Sequence, residues 1–572
     1  GYRCKVLLIQ TLKDIWLNTG FCKCPVMVQC DNKGGVKEET IPFLQKNGGA
    51  VQLMVNDEPF LMIAGELHNS TSSTVEYMEP VWARLKSMNL NTVLAAVTWE
   101  LLEPEEGIFD YHLVDVMLQK ARENDLRLCL LWFGSWKNGE SSYVPGWVKK
   151  DTERFFRVKN KDGKNIETIS PFCREARKAD AKAFGALMKY LSEVDKERTV
   201  ILIQPENEVG VFQEIDYCPQ ALVGFEKEVP EKLMTYLEDN KDMLNQHVKE
   251  IWESKGSVKA GTWKEVFGDT PFTKEFFMAW QYADYIDEVA RVGKEQYPLP
   301  MFVNAWLVQY PEQLPGGYPT GGPVSRVIDI YKAAAGHLDI LTPDIYLPDF
   351  KRIVAEYHRP DNPLLIPEST MEPGRAFYAF AEHDAIGFAP FAIEDEGEHF
   401  LLIKSYEVLQ ELQSLIIRYQ GTGKMRGILK YGDEMEQVFP FKDYTLKVVY
   451  EKNNEPAYGL IIQTDIDEFL VAGMNFKVFI SANDPNKIGY FEQIWEGGYE
   501  AGEWSSARLL NGDETWHNYA LIAVGRLYDS SEVNASKGFL EAEGEQNFTY
   551  SYASRKKIAT PGIYKAKVYI RN

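Results

Sequence analysis

Basic charge is scarce in this chain: 62 Lys and Arg face 84 Asp and Glu, for a net charge of −22 and a pI near 5.0. A surface of that sign repels phosphates, which excludes nucleic acid as a partner and disfavours anionic membranes. No run approaches the roughly 18 to 20 apolar residues that a membrane span needs. Cysteine is also sparse, at seven residues, and four of them (Cys4, Cys22, Cys24 and Cys30) crowd the first thirty positions. Paired CxxC units are absent, so their spacing matches no zinc motif. This leader has no signal-peptide grammar and no clear period, and residues 1 to 45 are read as an atypical segment. Cys129, Cys173 and Cys218 read as isolated buried thiols.

Hydrophobic residues make up 45% of the chain and aromatics 13%, the composition of a well-packed globular protein. At 572 residues it exceeds one ordinary core. Thirteen Trp and thirty Tyr suit a cleft for sugars, whose C–H faces are flat and apolar, although core filling is the commoner use of any one ring.

From about residue 50, short apolar runs alternate with amphipathic stretches, the grammar of parallel β/α units. Strands are predicted at 61–66, 92–97, 127–133, 200–203, 301–304, 339–345, 364–366 and 386–389. Eight such units predict an α/β fold, a (β/α)8 TIM barrel over residues 46–425. Residues 220–297 form an extended helical insertion, with helices around 231–253 and 276–292, long enough to overhang the barrel mouth. Beyond Gly421-Thr422-Gly423, strand-like runs separated by turn residues predict an all-β sandwich-like accessory domain over 426–572. A structural prop against the barrel is its simplest role.

Gln204-Pro205-Glu206-Asn207-Glu208 closes the fourth apolar run, and Pro363-Leu364-Leu365-Ile366-Pro367 delivers Glu368. Two carboxyl groups at the C-terminal ends of buried parallel strands are what a two-carboxylate glycoside hydrolase needs, one as general acid/base and one as nucleophile. The alternative is a pair of surface-loop carboxylates, which the uncharged Ile/Leu/Val-rich strands before them oppose. Strand alternation puts Gln204, Glu206 and Glu208 on one side, with Glu208 nearest the mouth and Glu206 a buried carboxylate paired with Arg or Lys. Glu208 must keep its proton, helped by burial and by Glu368. Tyr346, ending the sixth strand, is placed to hold Glu368. Trp136 and Trp306 follow apolar strands and are candidates for a sugar-stacking platform. Glu100 is a candidate hydroxyl contact, with ion pairing as its alternative. Glu66, Glu103 and Asp344 read as structural. The run Glu394-Asp395-Glu396 reads as a solvated acidic loop rather than a Ca²⁺ site.

Gly65-Glu66-Leu67-His68, the segment Leu85 to Val93, Trp99-Glu100-Leu101-Leu102-Glu103-Pro104 and Gly107-Ile108-Phe109-Asp110-Tyr111 resemble the opening of glycoside hydrolase family 35, the retaining β-galactosidases of clan A. Gln204 to Gly210 resembles that family's Q-x-E-N-E-Y-G acid/base motif, with Val209 in place of Tyr. Gly134 to Glu140 resembles its G-P-Y-I-N-A-E segment. The resemblance implies Glu208 as acid/base, Glu368 as nucleophile, Asn207 on the sugar 2-hydroxyl, and Asn138 and Glu140 on other hydroxyls. It further implies a β-galactoside substrate, no metal or organic cofactor, and export to the periplasm or medium. The C-terminal domain is similar to a domain of unknown function that accompanies some bacterial members of the family. An endo-acting clan A glycanase and a non-catalytic carbohydrate-binding barrel stand as rivals. Oligomeric state is not legible.

Overall fold

The computed structural model describes residues 40–395, 399–452, 455–523, 525–529 and 557–572. The cysteines at positions 4, 22, 24 and 30, and Glu396, lie outside the described residues.

Eight parallel strands close into a barrel: β1 (Met62–Glu66), β2 (Thr92–Thr98), β3 (Arg127–Lys137), β4 (Val200–Asn207), β5 (Phe302–Ala305), β6 (Ile340–Ile345), β7 (Leu365–Ile366 and Glu368–Ser369) and β8 (Gly387–Phe388). Ladder pairing runs β8–β1–β2–β3–β4 and β5–β6–β7. The ring is completed where Ile203 bridges Met301 and where Leu365 pairs with Gly387. Pro367 splits β7 because it has no N–H to give the ladder. Leu365 and Ile366 therefore pair with β8, while Glu368 and Ser369 pair with β6.

Alternate residues fill the barrel, among them Met62 and Ala64, Leu94 and Ala96, Cys129, Leu131, Leu202, Phe302 and Ile340. An antiparallel hairpin, Phe43–Asn47 with Ala50–Val55, adds Leu53 and Val55 to this interior cluster. The opposite faces of the strands pack on a ring of helices, where Arg174–Val194 and Pro271–Gln296 meet over most of their lengths.

One expectation is corrected. The helix read at 231–253 is two helices, Glu231–Asp239 and Gln246–Ser254, separated at Asn240–Asn245. The insertion packs against helices of the ring. It lies along the ring, where Lys232 donates to the Ala334 carbonyl at 2.9 Å and Asn245 to the Ser325 carbonyl at 3.0 Å. Its last helix, Pro271–Gln296, is itself a member of the ring. A helix not anticipated, Pro373–Glu382, follows β7 and starts with Pro at its first turn, where the missing N–H costs nothing.

The described residues between 425 and 571 form two packed antiparallel sheets, of six and four strands, and a two-stranded ribbon. Leu446, Val448 and Val478 from one face Ile461, Val471, Ile494 and Ala566 from the other. The larger sheet is fastened to the barrel. Arg426 makes a two-pronged contact with Glu382 at 2.6 and 3.0 Å, and Tyr458 shares a hydrogen bond with Ser405 at 2.8 Å. A Cβ on Gly374 would stand 2.8 Å from the Tyr458 ring, so that close approach requires glycine.

Candidate active site

Polar residues replace apolar ones at the C-terminal ends of the strands. Glu66 continues the inward series Met62 and Ala64 on β1, and Asn304 follows Phe302 on β5. Asp344 follows Ile340 and Thr342 on β6, and Glu368 pairs with Asp344 across the ladder. Glu66, Asn304, Asp344, Glu208 and Glu368 are all buried.

One oxygen from each of Glu208, Asp344 and Glu368 lies within 4.8 Å of the other two. The Asn304 amide knits the three together. Its oxygen accepts the Glu208 backbone N–H at 2.9 Å, and its Nδ2 donates to Asp344 at 2.7 Å and to Glu368 at 3.3 Å. The Tyr346 hydroxyl donates to the other Glu368 oxygen at 2.7 Å. Such a trio is also spaced as a metal ligand set would be. Asn304 and Tyr346 donate to three of the trio's oxygens.

The electrostatics separate the carboxyls. Burial pushes Glu208 up to about 7 and the Glu368 charge adds to this, while Lys137 and a hydrogen bond with Asp344 oppose it. Burial also raises Asp344 well above the usual carboxyl range, with Glu368 and Glu208 adding to it. Glu368, bonded through both oxygens, is left as an acceptor between two donors.

Strand four does not end as alternation predicts. Glu206 and Glu208 both adopt left-handed backbone angles, φ 65° and 42°, each costing an L-residue roughly 1 to 2 kcal/mol. The first turns Glu206 away from the cavity, and the second aims Glu208 into it. Glu206 meets no Arg or Lys, which corrects that expectation. It accepts the Trp136 N–H at 2.8 Å and faces Asp180, and burial and that second carboxyl together raise its proton affinity strongly. Asp180 in turn accepts from Trp132 at 2.9 Å and from the Ser135 N–H at 3.1 Å.

Asn207 and Asn138 converge on Lys137, whose ammonium donates to their side-chain oxygens at 3.0 and 2.6 Å. Glu140 is exposed, on a turn closed by two backbone hydrogen bonds to Lys137. Half-buried Trp306 meets Phe212 edge to face, ring centres 5.4 Å apart, and Phe212 is exposed beside Gly139. Two candidates lie elsewhere. Trp136 is fully buried behind the wall, donating to the Ile169 carbonyl and packed on Tyr282 and Tyr285, so it offers no face to a sugar. Glu100 is ion-paired with Lys149 at 2.8 Å on the surface.

The family model of Glycosyl hydrolases family 35 matches residues 52–282, from the hairpin through β4 into the ring helix that follows. That stretch of the chain, which ends before β5, is similar to the glycosyl hydrolases of family 35. A domain of unknown function, DUF5597, matches residues 402–522, from the closing helix into the sandwich.

Beta-galactosidase 14 of Arabidopsis thaliana is 23% identical to this chain over 168 residues, which is 28% of the chain and 18% of the relative's own length. Among solved structures, a catalytic mutant of Gan42B, a GH42 beta-galactosidase from G. stearothermophilus, has a TM-score of 0.47 at 11% identity, covering 79% of this chain and 97% of that one. The beta-galactosidase of Bacillus circulans sp. alkalophilus has a TM-score of 0.42 at 14% identity, covering 62% and 57%. The chain thus spans less than two thirds of the length of both the plant relative and the Bacillus enzyme.

Four residues of the cluster were given no part in the site by the sequence, Glu66 and Asp344 being read as structural and Asn304 and Lys137 left without a role. Asn304 and Asp344 were detectable as polar residues at inward positions of otherwise apolar strands. Glu66 carries the same signal. Lys137 carried none, because Gly134 and Ser135 made β3 look finished before it. Glu394, read as solvated, is buried and accepts from the His68 backbone at 2.8 Å and from Thr71 at 2.5 Å.

Proposed function

We propose that this protein is a retaining exo-β-galactosidase that removes terminal β-galactose from oligosaccharide or polysaccharide side chains. The observation that carries the reading is the trio at the strand ends, with Glu208 and Glu368 oxygens within 4.8 Å. Retaining enzymes place their carboxyl groups about 5 to 5.5 Å apart, whereas inverting enzymes need roughly 6.5 to 9.5 Å to admit a water.

Glu208, holding its proton to about pH 7, donates it to the glycosidic oxygen as the bond breaks. Glu368, fixed by Tyr346 and Asn304, attacks the anomeric carbon and forms a glycosyl ester. Glu208, now ionised, takes a proton from water as that water attacks the ester, which restores both groups. Burial raises the proton affinity of Asp344 beside Glu208, which favours less negative charge on the trio while the ester forms. Neutral sugars suit a pocket crowded with carboxyls. Trp306 and Phe212 at the mouth offer apolar edges to the leaving sugar. Export to the periplasm or medium, where such side chains are met, is part of this proposal.

A panel of aryl β-glycosides differing in the sugar tests the reading. Turnover should be highest on the β-galactoside. Preference for another sugar, or cleavage confined to internal bonds of a polymer, would contradict it.

A further inference from the structure

Lys137 is the last residue of β3, and its side chain is buried with the ammonium 5.2 Å from the centre of the Phe133 ring. A buried ammonium is costly unless its hydrogens are taken. Two are taken, by Asn138 and Asn207. Lysine can only donate, so the end of each amide that meets it is the oxygen. The consequence for Asn207 is specific: its NH2 end is turned away from Lys137, buried, and without a partner. A buried donor left unpaired is destabilising. It is sustained here one residue before Glu208, between two left-handed residues.

We propose that Lys137 is a positioning residue of the glycosidase reaction, holding the Asn207 amide with its NH2 end toward the substrate hydroxyl next to the reacting carbon. The assignment rests on the retaining β-galactosidase reading of this site. Lys137 does not touch the reacting atoms. It acts through Asn207, whose other orientation would present an oxygen and leave the hydroxyl's own oxygen without a donor. A second consequence is electrostatic. Glu208 is faced by Glu368 from β7, Asp344 from β6 and Lys137 from β3, with Glu66 and Glu394 acting on the same cluster. Lys137 is the cation that opposes proton retention at Glu208 and Glu66.

The test compares an aryl β-galactoside with its 2-deoxy analogue in the wild type, Lys137→Met and Lys137→Arg. The wild type should lose about 100-fold or more in kcat/KM on the analogue, the size of a donor that strengthens in the transition state. Lys137→Met should lose about 10- to 100-fold on the parent substrate but less than about threefold more on the analogue, because the contact is already gone. Lys137→Arg, which keeps a cationic donor, should restore most of the discrimination and serves where the Met variant does not fold. The alkaline limb of kcat/KM in Lys137→Met should also move to higher pH. Fully multiplicative losses with an unmoved alkaline limb would overturn the proposal. A wild type inactive on every β-galactoside would instead overturn the underlying reading of the site.

Discussion

The Tyr346 hydroxyl, at the end of β6, donates to Glu368 at the end of β7 across 2.7 Å. The two strands pair in register at Asp344 and Glu368, so the phenol reaches the carboxylate without a loop between them. A hydrogen bond to a charged group contributes about 1.5 to 3 kcal/mol. Tyr346→Phe should therefore lower kcat by roughly 10- to 100-fold with little change in KM. Steady-state kinetics on an aryl β-galactoside measures this, and an unchanged kcat would remove Tyr346 from the mechanism.

Glu208 must be protonated to act as the acid, and burial and Glu368 hold its proton to about pH 7. The kcat/KM profile should fall on the alkaline side with a midpoint near that value. Glu208→Gln should abolish that limb. It should also spare substrates with activated aryl leaving groups far more than natural disaccharides, because a good leaving group needs no proton. An equal loss on both substrate types would argue against the acid role.

Glu368→Ala should lose essentially all turnover. Added azide should restore part of it, with inverted product, because the small anion attacks from the face the carboxylate has vacated. Azide without effect, in a variant that still folds, would count against Glu368 as nucleophile.

The Glu206–Asp180 pair makes stability depend on pH. Folding raises the pKa of Glu206, so its contribution is complete below the unfolded carboxyl value and is lost as pH rises through the folded one. Thermal midpoints should fall as pH rises from about 5 toward 8, with buried Asp344 and Glu66 adding to the trend. Glu206→Gln, which keeps a hydrogen at the site without an ionisable proton, should flatten that fall. An identical slope in the variant would contradict the raised proton affinity of Glu206.

Three aromatic and acidic positions should behave differently. Trp306→Ala should raise KM for disaccharides more than for aryl glycosides, since its edge lies with Phe212 at the mouth. Trp136→Ala should cost about 3 to 5 kcal/mol of stability, because it empties a fully packed space. Glu100→Ala should change neither activity nor stability by more than about 0.5 kcal/mol, as an exposed ion pair contributes little. Denaturation and steady-state kinetics of the three variants check this together.

The barrel was legible because each strand is a short run of Ile, Leu, Val and Ala between helical periods, and burial on both faces leaves such runs uninterrupted by charge. The carboxyl groups at 208 and 368 were visible for the same reason: they break those runs at one end. What stayed hidden depends on the backbone. Left-handed angles at Glu206 and Glu208 undo the alternation that predicted a shared face, and no residue type at either position announces them. Trp136 looked free because Gly134 and Ser135 suggested a loop, whereas β3 continues through Lys137. The length of the insertion was readable, whereas its packing against Ser325 and Ala334, distant in sequence, was not.

The anomeric configuration of the first sugar released tests the pairing of Glu208 with Glu368 most directly. Proton NMR during hydrolysis of an aryl β-galactoside should show β-galactose first, with the α anomer growing in only as mutarotation proceeds. If α-galactose appears first, water rather than Glu368 attacks the anomeric carbon, and the two carboxyl groups do not work as this account requires.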